Sequence, residues 1–161
     1  MSGWFERAVE IVLSKEGVLS DDPRDNGGLT KYGISQKAYP ALDIRALTRD
    51  DAIALYRRDY WMPVRGDDLA WAFALPLFDC AVNQGVGRAI RMFQTALRVP
   101  ADGSFGPVTL KAAQARQGNP TETLARFMAE RAVAYAEHPD WPTFGRGWMV
   151  RAFSIAQTAR V

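Results

Sequence analysis

At 161 residues, with 48% hydrophobic and 24% charged side chains, the chain has the size and balance of one globular unit and can bury a sizeable core. One cysteine, Cys80, and one histidine, His138, exclude an internal disulfide and a Cys/His zinc cluster, and no run of 18 apolar residues is present to span a membrane. The net charge of +2 hides a split: residues 1–80 carry 13 Asp and Glu against 10 Lys and Arg, and residues 81–161 carry 5 against 10. A basic second half suits an anionic polymer such as peptidoglycan or nucleic acid, and equally a set of solvated arginines.

Trp4, Phe5, Ala8, Val9, Ile11 and Val12 recur with helical period, with Ser2 as N-cap and Gly17 as stop. Glu6, Arg7 and Glu10 interrupt this apolar series, so it lacks the continuous core of a secretory signal, and the expectation is synthesis in the cytoplasm. From Gly17 to Gly33 the pattern gives way to Asp, Asn, Pro and Gly, which predicts a long structured loop or small hairpin of the kind that carries function. Thr48 with Asp51 forms a capping-box pattern and opens a helix through about Trp61. Asp67 or Asp68 is placed to cap the next helix, which runs toward Val82 with a bend near Pro76. Gly85 and Gly87 mark a turn. Further helices follow over Gly87 to Arg98, from Gly106-Pro107 to Gly118, from Asn119-Pro120 to about Glu137, and after Gly145. His138, before Pro139, reads as a solvated helix end.

Positions 5, 9, 12 and 16 follow steps of three and four, so Glu16 shares the inward face of the first helix. It also sits in the last turn, where the helix dipole is negative and a carboxylate is the disfavoured choice. Both placements favour the neutral acid, the form a glycosidase needs to protonate a leaving glycosidic oxygen. The same spacing also fits a glutamate that turns outward into water. Glycosidases commonly pair two carboxylates, and the following loop offers Asp22 and Asp25, with Thr30 able to hydrogen-bond an attacking water. Asp25 is the preferred partner; turn chemistry explains Asp-Pro and Asp-Asn-Gly-Gly equally well.

Glu16-Gly17, Asp22-Pro23, Asp25, Gly27-Gly28, Thr30 and Tyr32-Gly33-Ile34 resemble, in order and spacing, the signature of glycoside hydrolase family 108. The resemblance continues through Tyr60-Trp61, Asp67-Asp68-Leu69 and Phe78-Asp79-Cys80-Ala81-Val82-Asn83-Gln84-Gly85. Ala101-Asp102-Gly103, Phe105-Gly106-Pro107 and Thr109-Leu110 look like the peptidoglycan-binding region that follows this module, and Phe144 to Arg151 resembles the family's tail. The chain departs from the pattern at Val18 and Leu19, where Gly-Tyr is usual, and at Asn26, where proline is common. The resemblance implies a mainly α, lysozyme-like fold with a loop or small hairpin after the first helix. It implies a catalytic module over residues 1–84 and a helical peptidoglycan-binding region over 85–161, packed as one compact unit. It further implies a phage-type N-acetylmuramidase that needs no cofactor or metal, with Glu16 as the catalytic acid; Asp25 and Thr30 are read beside it as the groups that position water.

For the glycan, Asn83 and Gln84 can offer amide groups to sugar hydroxyls or N-acetyl groups, and Tyr60 or Trp61 can stack on a pyranose, with Tyr32 beside the loop. Trp61 as a core anchor and Asn83 as a helix cap fit the same positions. The expected partner is bacterial peptidoglycan, with no nucleic acid and no stable membrane insertion. The enzyme is expected to act as a monomer on the wall in the periplasm after holin-dependent release. Lytic transglycosylase action through Glu16 alone, and a non-catalytic wall-binding or secretion-assisting role, are the competing readings; retention and inversion both stay open.

Overall fold

The computed structural model describes residues 3–16, 19–20 and 29–160, with the backbone alone for 19 and 20. Helix α1, Trp4–Glu16, buries Phe5, Ala8, Val9 and Val12, the stripe that the spacing predicts. Its proposed cap Ser2 and stop Gly17 lie outside the described residues. The predicted loop or hairpin contains a small antiparallel sheet of β1 (Leu19–Ser20), β2 (Thr30–Lys31) and β3 (Ile34–Ser35), with Leu19 opposite Lys31 and Thr30 opposite Ser35. Tyr32 (φ 52°) and Gly33 (φ 75°) form the two-residue turn between β2 and β3. Positive φ at both central positions is the geometry whose twist matches that of paired strands.

Helix α2, Arg49–Tyr56, starts on the predicted capping box: Thr48 Oγ1 accepts the Asp51 N–H at 3.1 Å and Asp51 Oδ2 accepts the Thr48 N–H at 3.0 Å. A π-helical turn, Arg57–Trp61, carries it on to Trp61. Asp67 and Asp68 differ from expectation. They sit in a short 3₁₀ turn, Gly66–Asp68, where Asp67 accepts from Trp61 Nε1 at 3.0 Å and Asp68 from Arg65 Nε at 2.8 Å. Helix α3, Trp71–Gln84, therefore begins at Ala70 without a side-chain cap. Burial compensates for the missing cap: Trp71 and every residue from Phe73 to Ala81 are buried, as expected of a central helix that is apolar nearly all round.

Gly85 (φ 89°) turns the chain into α4, Val86–Leu97. Helix α5, Pro107–Gln114, has proline at its start as predicted and ends short of Gly118. Helix α6, Thr121–Ala136, follows. Helix α7, Trp141–Thr158, opens four residues before Gly145, which lies inside it because a Cβ there would sit within 2.5 Å of the Trp141 indole. The fold is thus mainly α. One apolar cluster runs from Phe5 and Val12 through Phe73 and Phe78 of α3 to Phe93, Phe127 and Ile155, so α3 is the axis on which both halves of the sequence pack. No described helix is long and apolar enough to cross a membrane.

Candidate active site

Glu16 is the last residue of α1 and its side chain is 21% exposed, so the inward-facing placement is the one observed. The turn between β2 and β3 closes over its aliphatic part: a Cβ on Gly33 would lie 3.0 Å from Glu16 Cγ and would fall on the Tyr56 hydroxyl. Only glycine fits there, both for space and for φ. Tyr56 is buried and donates its hydroxyl to the Tyr32 carbonyl at 3.0 Å, which pins the turn to α2. Burial, and then the charge of Glu16, hold the Tyr56 phenol above its ordinary range, so it remains a donor.

The carboxylate faces a guanidinium. Arg151 Nη1 donates to Glu16 Oε1 at 2.6 Å, and Arg151 Nε donates to Asp79 Oδ1 at 2.9 Å. Asp79 Oδ2 accepts from Arg131 Nη2 at 2.8 Å, and Asp79 and Arg131 are both fully buried. The four groups form a row of alternating charge, Glu16, Arg151, Asp79, Arg131, whose formal charges cancel. Such cancellation is what makes a buried ion tolerable. Burial opposes the Arg151 charge, but the carboxylates of Asp79 and Glu16 more than offset it and hold the guanidinium above its usual value. The row continues into neutral groups: Arg131 Nε donates to Gln84 Oε1 at 3.1 Å, and Tyr135, in contact with Arg131 Nη2, donates to Asn83 Oδ1.

These observations sort the residues predicted from sequence. Tyr32 and Glu16 are brought together through the turn and Tyr56. Thr30 stands on β2, two residues before Tyr32, paired in register with Ser20 and Ser35. Tyr60 is half-buried with its ring 5.6 Å from that of Tyr56. Asp25, like Asp22, lies outside the described residues. Asn83 and Gln84 sit at the opposite end of the charge row, where with Arg88, Tyr135, His138 and Trp148 they line a cavity of about 230 Å³. Their side-chain oxygens accept from Tyr135 and Arg131.

Trp61 requires a correction. It has no exposed surface, packs at 5.5 Å from Phe5 and 5.3 Å from Phe78, and spends its N–H on Asp67. No face is left for a sugar, so Trp61 is a core anchor. An apolar groove of about 540 Å³ between α6 and α7 has none of the predicted site residues in its lining. Cys80 is buried, and its thiol is pushed up to about 11 by that burial, which leaves it unreactive.

Sequence reading assigned no role to Asp79, Arg131, Arg151 or Tyr56. One signal was present: Asp79 interrupts an otherwise apolar run, Leu75-Pro76-Leu77-Phe78-Asp79-Cys80-Ala81-Val82, and a carboxylate inside a buried helix demands a cation. Its partners, 52 and 72 residues away, leave no trace in local spacing.

Residues 9–85 match the family model described as "Glycosyl hydrolase 108", and residues 88–153 match that described as "Predicted Peptidoglycan domain". The solved structure of Brucella abortus SagA is similar over 99% of this chain and 95% of its own, at 30% identity and a TM-score of 0.89. No curated protein matches the chain. A glycosyl hydrolase match ending on α3, followed by a peptidoglycan match over α4 to α7, on a fold shared almost end to end with a relative at that identity, identifies the chain as a member of the glycosyl hydrolase 108 family.

Proposed function

We infer that the protein is an N-acetylmuramidase of the phage endolysin type, which hydrolyses the bond between N-acetylmuramic acid and N-acetylglucosamine in bacterial peptidoglycan. The observation that carries this reading is the environment of Glu16: a carboxyl group at the end of α1, partly withdrawn from water, fixed between a glycine turn and a guanidinium. The family match to a glycosyl hydrolase and to a peptidoglycan domain supports the substrate class.

In this reading Glu16 protonates the glycosidic oxygen as the C–O bond breaks, and Asp25 with Thr30 positions the water that attacks the anomeric carbon. Tyr32 and Tyr60 flank the sugar at the Glu16 niche, and Asn83 and Gln84 contact glycan farther along. Residues 1–84 then constitute the catalytic part and 85–161 the wall-binding part. The enzyme works as a monomer without a cofactor, is made in the host cytoplasm and reaches the wall after a holin opens the inner membrane.

Mass spectrometry of the fragments released from purified peptidoglycan tests the reaction. Hydrolysis yields muropeptides with reducing N-acetylmuramic acid ends. A digest carrying 1,6-anhydromuramoyl ends would assign a transglycosylase instead, and binding without release of fragments would assign a wall-binding protein.

A further inference from the structure

Arg151 lies in the segment matched by the peptidoglycan domain, yet its contacts are with α1 and α3. Helix α7 buries Ala152 and Ile155 on the same side, and two further bonds seat it there: Lys15 Nζ donates to Ser154 Oγ at 3.3 Å, and Trp71 Nε1 donates to the Thr158 carbonyl at 3.0 Å. The side chain of Arg151 is 13% exposed, and its Nη2 is buried without a hydrogen-bond partner among the described residues. A buried guanidinium with an unsatisfied N–H is a poor device for stability alone, since apolar packing at such a place does as well or better. Its position on the carboxyl group proposed as the acid asks for another explanation.

We propose that Arg151 is the positioning residue for Glu16, so that the C-terminal helices complete the catalytic centre and are not a detachable wall-binding unit. The inference rests on Glu16 being the acid. Arginine has five donors and no acceptor, so the carboxyl oxygen that faces Nη1, Oε1, cannot carry the proton toward it. In the protonated form that the reaction uses, the transferable proton therefore resides on Oε2. Asp79, itself clamped by Arg131, fixes Arg151 from behind, and the rotation of the carboxyl group is set by a chain of charges that begins in α6. When the glycosidic C–O bond breaks, its electron pair stays on the leaving oxygen, which takes the proton from Oε2. The carboxylate left behind finds a cation already in place, with no reorganisation at that moment.

The test uses the full chain with Arg151→Ala, Arg151→Lys and Glu16→Gln, each checked for cooperative thermal unfolding, and measures kcat and KM for release of muropeptides from purified peptidoglycan. Misplacing a catalytic group by an ångström costs about a hundredfold. Arg151→Ala is expected to lose on that order in kcat with KM unchanged, and millimolar guanidinium is expected to restore part of the loss in Arg151→Ala but none in Glu16→Gln. Arg151→Lys, which keeps the cation but not the forked geometry, is expected to fall between Ala and the parent. Should Arg151→Ala fail to fold, the lysine variant decides: a lowered kcat at parental KM supports the proposal. A folded Arg151→Ala or Arg151→Lys with parental kcat overturns it, as does a loss confined to KM. If Glu16→Gln alone keeps full activity, the muramidase reading of Glu16 fails, and that outcome is separate from any result at Arg151.

Discussion

Two buried polar clusters among the described residues are built on opposite plans. The first centres on Gln94 of α4. Its Nε2 donates to Asp102 Oδ1 at 2.7 Å, to the Ser104 carbonyl at 3.0 Å and to Thr109 Oγ1 at 3.0 Å, while its Oε1 accepts the Gly103 N–H at 2.9 Å. Every partner lies within fifteen residues. The cluster folds the Asp102-Gly103 turn against α4 and delivers the chain to Pro107 at the start of α5. The second centres on Asp79 of α3 and joins α1, α3, α6 and α7 across as many as 135 residues of sequence. Its hub and both guanidinium groups on it are charged, and it leaves Arg131 Nη1 and Arg151 Nη2 without partners among the described residues. A cluster that only shapes a turn is neutral at its hub and satisfied; the one that ends on Glu16 carries four charges and an incomplete set of bonds. On the role proposed for Arg151, the difference is one of purpose: the Asp79 cluster holds a catalytic group in place, and the Gln94 cluster holds a turn.

Substitutions sharpen this contrast. Asp79→Ala strands the buried guanidinium of Arg131, takes from Arg151 one of its two carboxylates, and is expected to cost about 3–5 kcal/mol, the usual penalty for breaking a buried pair, read as a lowered urea midpoint together with loss of activity. Gln94→Ala leaves the Thr109 hydroxyl and the Gly103 N–H without their partner and is expected to cost about 1–3 kcal/mol. At temperatures where that variant is folded, its rate of muropeptide release is expected to match the parent. If Gln94→Ala impaired kcat as Asp79→Ala does, the division between a shaping cluster and a catalytic one would collapse. Thr48→Ala removes a helix cap remote from both and is expected to cost about 1 kcal/mol by the same denaturation assay, which sets the scale for a purely local loss.

The same contrast explains what could be read from sequence. The α1 stripe, the Thr48–Asp51 capping box and the proline at the start of α5 depend on residues a few positions apart, and each was legible. The start of α7 was not, because Gly145 looks like a helix breaker until its contact with Trp141 is known. Nor was the start of α3. Asp67 and Asp68 had the chemistry of caps, but Trp61, Arg57 and Arg65 claim their carboxylates. At the site, the inward placement of Glu16 was one of the two that its helical phase offered, while Trp61 was misassigned because stacking on sugar and anchoring a core call for the same residue. Arg151 and Asp79 were beyond reach in a stricter sense. Their meaning is a relation between helices that only tertiary packing creates.

The most direct test of the account is the rate at which folded Glu16→Gln protein releases soluble muropeptides from purified peptidoglycan, measured beside the parent chain. Glutamine keeps the size of the side chain and an oxygen for Arg151 but has no proton to give, so the rate is expected to fall by about a hundredfold to ten-thousandfold, the share usual for a general acid. Release at the parental rate, by a variant with the parental unfolding midpoint, would contradict it.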